Sequence, residues 1–466
     1  MEPVETLVSF VAELRYEDLP LTTVEATKRQ IADALACALA GSAAPLTPEI
    51  VVRHVQWGGA PEATVLGYGH RLPAPTAAWL NAAMLHAHDF DDSHRASNQH
   101  IYVTLLPAAL ATAESLDQPL AGRDLITALV GAAELQIRLG LSVLPHMHVG
   151  WLPTAVFGGL GAAAVSGKLL GLPAEGIAHA VGLAYAQAQG NRQGLLEGAI
   201  AKRLTPAFSA RAGVHAAALA EIGITGPRAL TTGAFGLHAL FGGGKGDAAV
   251  LTAGLGERFA VDDIALKPYP CCRAAHRPID MALEAKAQLQ PFDPATLAAV
   301  DVWLHPRAHA LIGQPFRMRQ NPQVDAQFSA QWTVAFALLH GAPGLADFAP
   351  EAVRAATEVQ SLAERIRVHR LPDAAPGTHE RLTLRLQDGR QAAITHTDIK
   401  GEPSLPLTRS ERKEKFLTCA AYAYHPLDEE TAAAIFTDLE HIEEQDDIRP
   451  LSAQLSLDPN DMPACQ

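Results

Sequence analysis

A chain of 466 residues is too long for one compact core, so the length predicts two domains. Apolar residues make up 48% of the sequence, and its five cysteines form no C-x-x-C pair, which argues against disorder, a disulfide scaffold and a four-cysteine metal site. The formal net charge of −14 argues against nucleic-acid and anionic-membrane partners, and residues 1–10 lack the basic start and apolar core of a signal peptide. We therefore expect a cytoplasmic protein.

The first half of the sequence predicts helix after helix, with small residues that allow close helix approach. A short β-ribbon is predicted at 63–72. The stretch 153–172 is nearly all apolar, but it is rich in Ala and Gly and contains Lys168, which favours a buried helix over a membrane span. The predicted helices are 22–41, 48–57, 75–88, 107–115, 124–139, 153–170, 174–189 and 206–222.

The pattern changes after Lys267. Alternating residues predict strands at 300–304, 366–369, 382–386 and 392–397, and Asp388-Gly389 predicts a hairpin between the last two. Helical spacing is found at 278–289, at 331–340 and from 410 onward. We expect a mainly α protein with a helical domain of residues 1–266 and 402–455, an inserted α+β domain of residues 267–401, and a tail of residues 456–466.

The densest group of titratable residues follows the helix predicted at 75–88. Its members are His86, His88, Asp89, Asp91, Asp92, Ser93, His94 and His100. One interpretation is metal binding, but the metallo-hydrolase spacing H-x-H-x-D-H would need Asp where Phe90 stands. Another is metal-free acid/base chemistry, with Asp89 or Asp92 polarising His100 or the Ser93 hydroxyl. Helix capping and solvation explain the same pattern without any chemistry.

Two further segments supply cations. Lys202 and Arg203 precede Pro206, which opens a helix, and cations beside a helix N-terminus can bind an anion. An ordinary solvated pair fits this pattern as well.

The segment 267–276 is stiffened by two prolines, so that Lys267 and Tyr269 project from a fixed backbone. Arg273 and His276 lie further along it, with His276 one helical turn before Asp280. A rigid connector without chemistry is the alternative interpretation of this segment.

Taken together, these motifs resemble the MmgE/PrpD family, which includes 2-methylcitrate dehydratase, cis-aconitate decarboxylase and iminodisuccinate epimerase. The resemblance covers about residues 22–450. The matching motifs are LN at 80–81, HDFDDS at 88–93, His100, LPAALA at 106–111, GWLPT at 150–154, AKRL at 201–204, TGPR at 225–228, KPYPCC at 267–272 and FS at 328–329.

The resemblance implies a large helical domain built from both chain ends, an inserted α+β lid domain and a homodimer. It also implies an active site, without metal or cofactor, in the cleft between the domains. The family positions that line this site fall on Asp89, Ser93 and His100, and the two family lysines fall on Lys202 and Lys267.

The activity implied is that of a lyase, of the dehydratase or decarboxylase type, acting on a small di- or tricarboxylate through a carbanion. Lys202 and Lys267 would bind the substrate carboxylates, His100 would transfer the proton, and Ser93 would donate a hydrogen bond. The other predicted substrate-binding residues are Asp92, Arg203, Tyr269, Arg273 and His276.

Two departures from the family motifs leave alternatives open. Leu152 stands where the family commonly has His in G-W-H-P-T, and Thr205 stands where it often has His in K-R-L-H-P. An epimerase or isomerase of a dicarboxylate, or a ligand-binding member without catalysis, would be consistent with these losses. A metallohydrolase would instead hold a metal at His86, His88 and Asp92.

Overall fold

The computed structural model describes residues 2–372 and 379–457, and the predicted tail lies outside the described residues from 458 onward. The described chain is mainly α, as predicted. Its α-helices in chain order are α1 Pro3–Glu13, α2 Leu21–Ser42, α3 Thr47–Trp57, α4 Ala74–Leu85, α5 Tyr102–Ser115, α6 Gly122–Val143, α7 Pro153–Leu169, α8 Ala174–Tyr185, α9 Gln193–Glu197, α10 Thr205–Glu221, α11 Leu237–Phe241, α12 His276–Gln288, α13 Pro306–Ile312, α14 Pro322–Gln327, α15 Ala330–His340, α16 Pro350–Ala355, α17 Thr357–Ala363, α18 Arg409–Ala421, α19 Glu429–Leu439 and α20 Leu451–Gln454.

Strands are few and short in the described chain. They are β1 Ala63–Thr64, β2 Arg71–Leu72, β3 Ser93–His94, β4 Ile264–Ala265, β5 Leu297–Leu304, β6 Ile366–Arg370, β7 Arg381–Leu386 and β8 Gln391–Thr395. The antiparallel pair β1–β2 confirms the ribbon predicted at 63–72. Likewise, β7 and β8 form the antiparallel hairpin predicted around Asp388-Gly389.

The chain divides into two units. Within the described residues, the first comprises 2–193, 201–266 and 408–457, and the second comprises 194–200 and 267–407. The first, called the helical unit below, thus combines residues from early and late in the chain. The second unit contains the four-stranded sheet.

Close approach of small residues builds the core of the helical unit, where α7 packs against α5, α6, α8 and α10. A Cβ atom added at Gly213 of α10 would lie 2.3 Å from the Cβ of Ala162 on α7. A Cβ added at Gly158 of α7 would lie 2.6 Å from Thr104 of α5. These contacts are too short for any side chain, so the glycines set the distance between the helices.

Two long apolar helices, α6 and α7, lie in this core. By length and hydropathy alone Gly122–His146 could cross a membrane, but 94% of its most apolar window is buried inside the fold. Helix α7 is buried over most of its length, as predicted for 153–170. Lys168 near its end donates hydrogen bonds to the carbonyls of Val11, Ala12 and Leu14 at 2.8, 3.1 and 2.9 Å, and thereby caps the end of α1.

Helix α5 begins five residues before the predicted start at Pro107, which lies inside the helix. The Asp92 carboxylate accepts hydrogen bonds from the backbone N–H groups of Ile101 and Tyr102 at 2.8 and 3.0 Å. The Asp92 carboxylate thus satisfies two of the backbone N–H groups that the start of a helix leaves without partners. For this reason α5 begins upstream of Pro107.

The second unit is built around a four-stranded sheet of order β6-β5-β7-β8. Strand β5 pairs parallel with β6 and antiparallel with β7. Val300, Val302 and Leu304 of β5 are buried and alternate with less buried residues, because successive side chains of a strand point to opposite faces. Helix α12 packs against β7 and β8, and α15 packs against β6.

Candidate active site

The loop between α4 and α5 carries most of the predicted site. It begins at His86, directly after α4 ends, and its residues are buried except for residues 95, 96 and 98, which are exposed, and His100, which is partly exposed. A tight hairpin forms where the backbones of His94 and Gln99 exchange hydrogen bonds of 2.7 and 3.3 Å. Strand β3 at the base of this hairpin pairs with β4, with Ser93 opposite Ala265. The hairpin returns the chain, so that His100 comes back beside the residues at the start of the loop.

Asp91 is the centre of this loop. Its side chain is fully buried, and its Oδ2 atom lies 2.8 Å from Nδ1 of His86, with which it forms a hydrogen bond. The same Oδ2 lies 2.9 Å from Nδ1 of His100, although without the alignment of a hydrogen bond. The two imidazole rings meet edge to face, with centroids 4.7 Å apart. One carboxylate oxygen therefore faces two histidines.

The electrostatics of this group favour an ionised Asp91. Burial acts to raise the pKa of Asp91, but the imidazoles of His100 and His86 hold it well below its ordinary value. Burial lowers the pKa of His86 to about 4, against the attraction of Asp91. His86 is therefore neutral near pH 7. The His100 side chain is 22% exposed, whereas those of His86 and Asp91 are 3% and 0% exposed, so His100 is the most accessible member of the group.

Asp92 makes different contacts from its neighbour Asp91. Both of its carboxylate oxygens accept the backbone hydrogen bonds that start α5, as described above. Burial and the charge of Asp91 raise the pKa of Asp92 to about 7. The sequence predicted that Asp89 or Asp92 orients His100; the structure places Asp91 Oδ2 at 2.9 Å from His100 Nδ1, while Asp92 caps α5 and Asp89 pairs with Lys202. A substrate-binding role for Asp92 stays a prediction.

Asp89 and Lys202 form a buried ion pair, with side chains 6% and 11% exposed. Lys202 belongs to a short 3-10 helix, Ile200–Leu204, and lies 113 residues from Asp89 in the sequence. Asp89 has a backbone φ of +52°, a left-handed conformation that few residues other than glycine adopt. The chain thus places an ammonium group beside the loop of residues 86–101, called the acidic loop below. The residue that carries the paired carboxylate, Asp89, has an unfavourable backbone conformation.

Arg203 follows Lys202 but points to a different part of the unit. Its Nη2 donates a hydrogen bond to the carbonyl of Pro45, in the connection between α2 and α3. Its side chain is 6% exposed, and burial lowers its pKa to about 10. Its predicted role in substrate binding stays a prediction.

Three polar atoms of the loop lack a hydrogen-bond partner among the described residues. They are Oγ of Ser93, Oδ1 of Asp91 and Nδ1 of His100, and all three atoms are buried. Because a buried polar atom without a partner costs about 1–3 kcal/mol, such atoms are candidate contacts for a ligand.

The two departures from the family motifs lie close to this loop. Thr205 donates its hydroxyl hydrogen bond to the carbonyl of Lys202 at 2.9 Å. Leu152 immediately precedes α7, and two residues later Thr154 accepts the backbone N–H of His100 at 2.9 Å through its hydroxyl. Both positions therefore adjoin residues that hold the proposed catalytic groups.

A metal could be held by one set of side chains. One ligand atom from each of His86, Asp89 and His100 lies within 4.8 Å of the others. The set His86, His88 and Asp92 is not suited to metal binding, because His88 Nε2 lies 3.2 Å from the carbonyl of Ala40 and Asp92 caps α5. The ammonium of Lys202 already gives Asp89 a positive partner.

The four predicted residues of the second unit share the segment that opens it. Lys267 is 1% exposed. Tyr269 donates a hydrogen bond of 2.7 Å to Asp280, and its ring lies 5.3 Å from that of His276. Arg273 forms an ion pair with Glu402, and His276 Nε2 lies 3.3 Å from the Cys271 carbonyl. Their functional roles stay predictions.

The structure thus brings Asp89, Asp92, Ser93, His100 and Lys202 into one region of the helical unit. Asp91 and His86 also belong to this group, although neither was predicted from the sequence as a catalytic or substrate-binding residue. The signal was available in part, since both lie within the cluster that drew attention. Nothing in the local spacing showed which of the acids would face His100.

Two family models together match most of the chain. Residues 5–249 match the MmgE/PrpD N-terminal domain, and residues 269–441 match the MmgE/PrpD C-terminal domain. The chain belongs to the MmgE/PrpD family, as its motifs indicated.

Its relatives include several proteins described as decarboxylases. The cis-aconitate decarboxylase-like protein oryM of Aspergillus oryzae is 28% identical over 97% of this chain and 96% of that protein. Cis-aconitate decarboxylase of Aspergillus terreus is 29% identical over 58% of this chain and 57% of that protein. The mouse cis-aconitate decarboxylase is 24% identical over 97% and 93%. Family and relatives together support a lyase of the dehydratase or decarboxylase type.

Proposed function

We propose that the chain removes carbon dioxide or water from a small di- or tricarboxylate, and that cis-aconitate is the first substrate to test. The reaction would use neither metal nor cofactor. One observation carries the proposal: an ionised, buried Asp91 faces the accessible His100, and the ion pair of Asp89 and Lys202 belongs to the same loop.

His100 is the proposed proton-transfer group. Its Nδ1 faces Asp91, which leaves Nε2 as the atom that meets substrate. The Asp91 carboxylate stabilises the imidazolium form, as an acid behind a catalytic histidine does. In a decarboxylation, the carbon–carbon bond to the departing carboxylate breaks, and its electron pair stays on the substrate. The proton from His100 then completes the product.

Lys202 is the proposed partner of the substrate's negative charge. A carbanion or enolate-like species carries more charge than the substrate, and a fixed ammonium stabilises it most where water is excluded. An arriving carboxylate would share Lys202 with Asp89. We propose Lys267 as a second cation for the same charge, and Ser93 as a hydrogen-bond donor to substrate. An inserted lid domain and a homodimer belong to the proposal through the family resemblance alone. A cytoplasmic location belongs to it through the few, irregularly spaced cysteines, which fit a reducing compartment.

The test is an assay of the purified protein with cis-aconitate, 2-methylcitrate and iminodisuccinate, each followed by proton NMR and by carbon dioxide release. Treatment with a chelator and elemental analysis accompany it. We expect turnover of one tricarboxylate that the chelator does not change. Turnover of iminodisuccinate with inversion alone would indicate the epimerase, and ligand-induced thermal stabilisation without turnover would indicate a binding protein. If the chelator abolished activity and elemental analysis found a stoichiometric metal in the untreated protein, the metal-free mechanism would be overturned.

A further inference from the structure

Besides Lys202, another buried lysine of the helical unit, Lys415, contacts the acidic loop. Lys415 lies on α18, and its side chain is 6% exposed. Its Nζ atom donates a hydrogen bond of 2.9 Å to the carbonyl of Phe90. The same atom lies 3.8 Å from the centre of the Phe90 ring, within the range of a cation–π interaction. Phe90 is the residue between Asp89 and Asp91.

Asp33 of α2 fixes this lysine. Its Oδ1 lies 2.7 Å from Lys415 Nζ, and both side chains are buried. Although burial opposes it, the charge of Asp33 raises the pKa of Lys415, so the group stays an ammonium. Buried ions of this kind require good geometry and further hydrogen bonds, and the Phe90 carbonyl provides one.

Phe90, which contacts Lys415, directly follows Asp89, the residue of the acidic loop with the strained backbone conformation. Asp89 has a φ of +52°, and such a conformation persists only where the surroundings over-determine it. The fixed ring and carbonyl of Phe90 restrain the backbone on both sides. If Phe90 moved, Asp89 would shift relative to Lys202, and Asp91 would shift relative to His86 and His100.

We propose that Lys415 is a positioning residue for the lyase reaction, and that with Asp33 it sets the placement of Asp89 and Asp91 through Phe90. This inference rests on the proposed function for its kinetic consequence. Its structural consequence is independent of that function.

The test compares Lys415→Met with the double variant Asp33→Asn/Lys415→Met. The single variant leaves Asp33 buried without its ammonium, so it will lose stability and could fail to fold. The double variant removes both charges and will recover stability. We expect its kcat to remain about 10–100-fold below that of the original protein, with KM little changed, because a small misplacement of catalytic groups suffices for such a loss.

The matched control is Lys28→Met/Glu443→Gln. Lys28 of α2 is, like Lys415, a buried lysine that pairs across a long sequence separation, with its Nζ atom 2.6 Å from Glu443. Its partners Glu25 and Glu443 lie outside the acidic loop. It should lose stability and keep its kcat. A stable Asp33→Asn/Lys415→Met protein with unaltered kcat would overturn the positioning role.

A crystal structure of the double variant gives a readout that does not depend on activity. We expect Asp89 to leave its left-handed backbone conformation and the distance from Asp91 to His100 to change. An unaltered loop in the variant would overturn the inference whatever the activity. If the original protein turned over none of the substrates tested, a displaced loop in the variant would still sustain the inference, and the missing turnover would overturn the proposed lyase function instead.

Discussion

Two buried acids of the helical unit, Glu134 and Asp91, show how differently one fold can use a carboxylate. Glu134 on α6 accepts a hydrogen bond of 2.8 Å from Arg138 through Oε2, and its Oε1 accepts the backbone N–H of Ala260. Asp91 turns one oxygen to two histidines, while its other oxygen has no partner among the described residues. Permanent donors surround the first acid, and groups that can exchange protons surround the second. The comparison separates a carboxylate that holds the chain together from one that is suited to chemistry.

The largest effect is expected for Asp91→Asn. Asn has the same shape but cannot stabilise a protonated His100, so kcat/KM should fall by roughly 10²–10⁴-fold. Steady-state kinetics on the substrate that the proposed turnover assay identifies provide the measurement, with the thermal midpoint as a check on folding. Activity within a few-fold of the original protein would remove Asp91 from the mechanism.

Lys202→Met should lower kcat by roughly 10²–10³-fold, because it removes a cation aimed at developing negative charge. Lys168→Met is the matched control. Lys168 is also a largely buried lysine, but three backbone carbonyls surround it, so its loss should lower stability and leave turnover intact. Equal losses of turnover in the two variants would contradict the assignment.

For Lys267→Ala we expect a loss of turnover of roughly 10²–10³-fold, on the same physical ground. Lys286→Ala serves as the control in the second unit, since Lys286 donates a hydrogen bond to the Leu339 carbonyl. Rates are compared at saturating substrate. Unchanged kinetics in Lys267→Ala would end its role as a second cation.

A smaller effect concerns acid stability. Burial lowers the pKa of His88 to about 4, below the value of about 6.5 in an unfolded chain. As pH falls from 6.5 to 4, the unfolded chain binds a proton at this residue that the folded protein does not, so stability is lost across this window. His88→Gln should flatten the fall of the thermal midpoint between pH 6.5 and 4. The same slope in both proteins would show that His88 does not titrate in this way.

The smallest effect on turnover is expected for Glu134→Gln. The change weakens the hydrogen bonds to Arg138 and Ala260 and should cost about 1–3 kcal/mol of stability. Turnover should stay at the original level at temperatures where the variant is folded. A loss of turnover comparable to that of Asp91→Asn would erase the distinction between the two acids.

Much of the fold could be predicted from local pattern, because helices and hairpins are specified by neighbouring residues. The Asp388-Gly389 turn identified the hairpin of β7 and β8, and apolar spacing identified α7. The start of α5 was mispredicted because Asp92, whose carboxylate lies ten residues upstream of Tyr102 in the sequence, replaces Pro107 as the signal for the first turn.

Most residues of the site could be predicted from the sequence, but the contacts between them could not. Family motifs pointed to Asp89, His100 and Lys202. The partner of His100 depends on the hairpin at 94–99, which rests on a strand pair with residues 264–265. Contacts made over such separations leave no periodic trace in the sequence. Lys415, 325 residues from Phe90, lies beyond any local signal.

In the helical unit, segments late in the chain contact segments early in the chain, so these contacts can form only late in synthesis. Lys415 bonds to Phe90, Glu443 to Lys28, and Ile448 to the carbonyl of Leu120. At about 5–20 residues per second, a ribosome needs on the order of tens of seconds to make the 325 residues between Phe90 and Lys415. For that time the nascent chain carries the acidic loop without Lys415, so the contact between α18 and this loop can form only after α18 has been made.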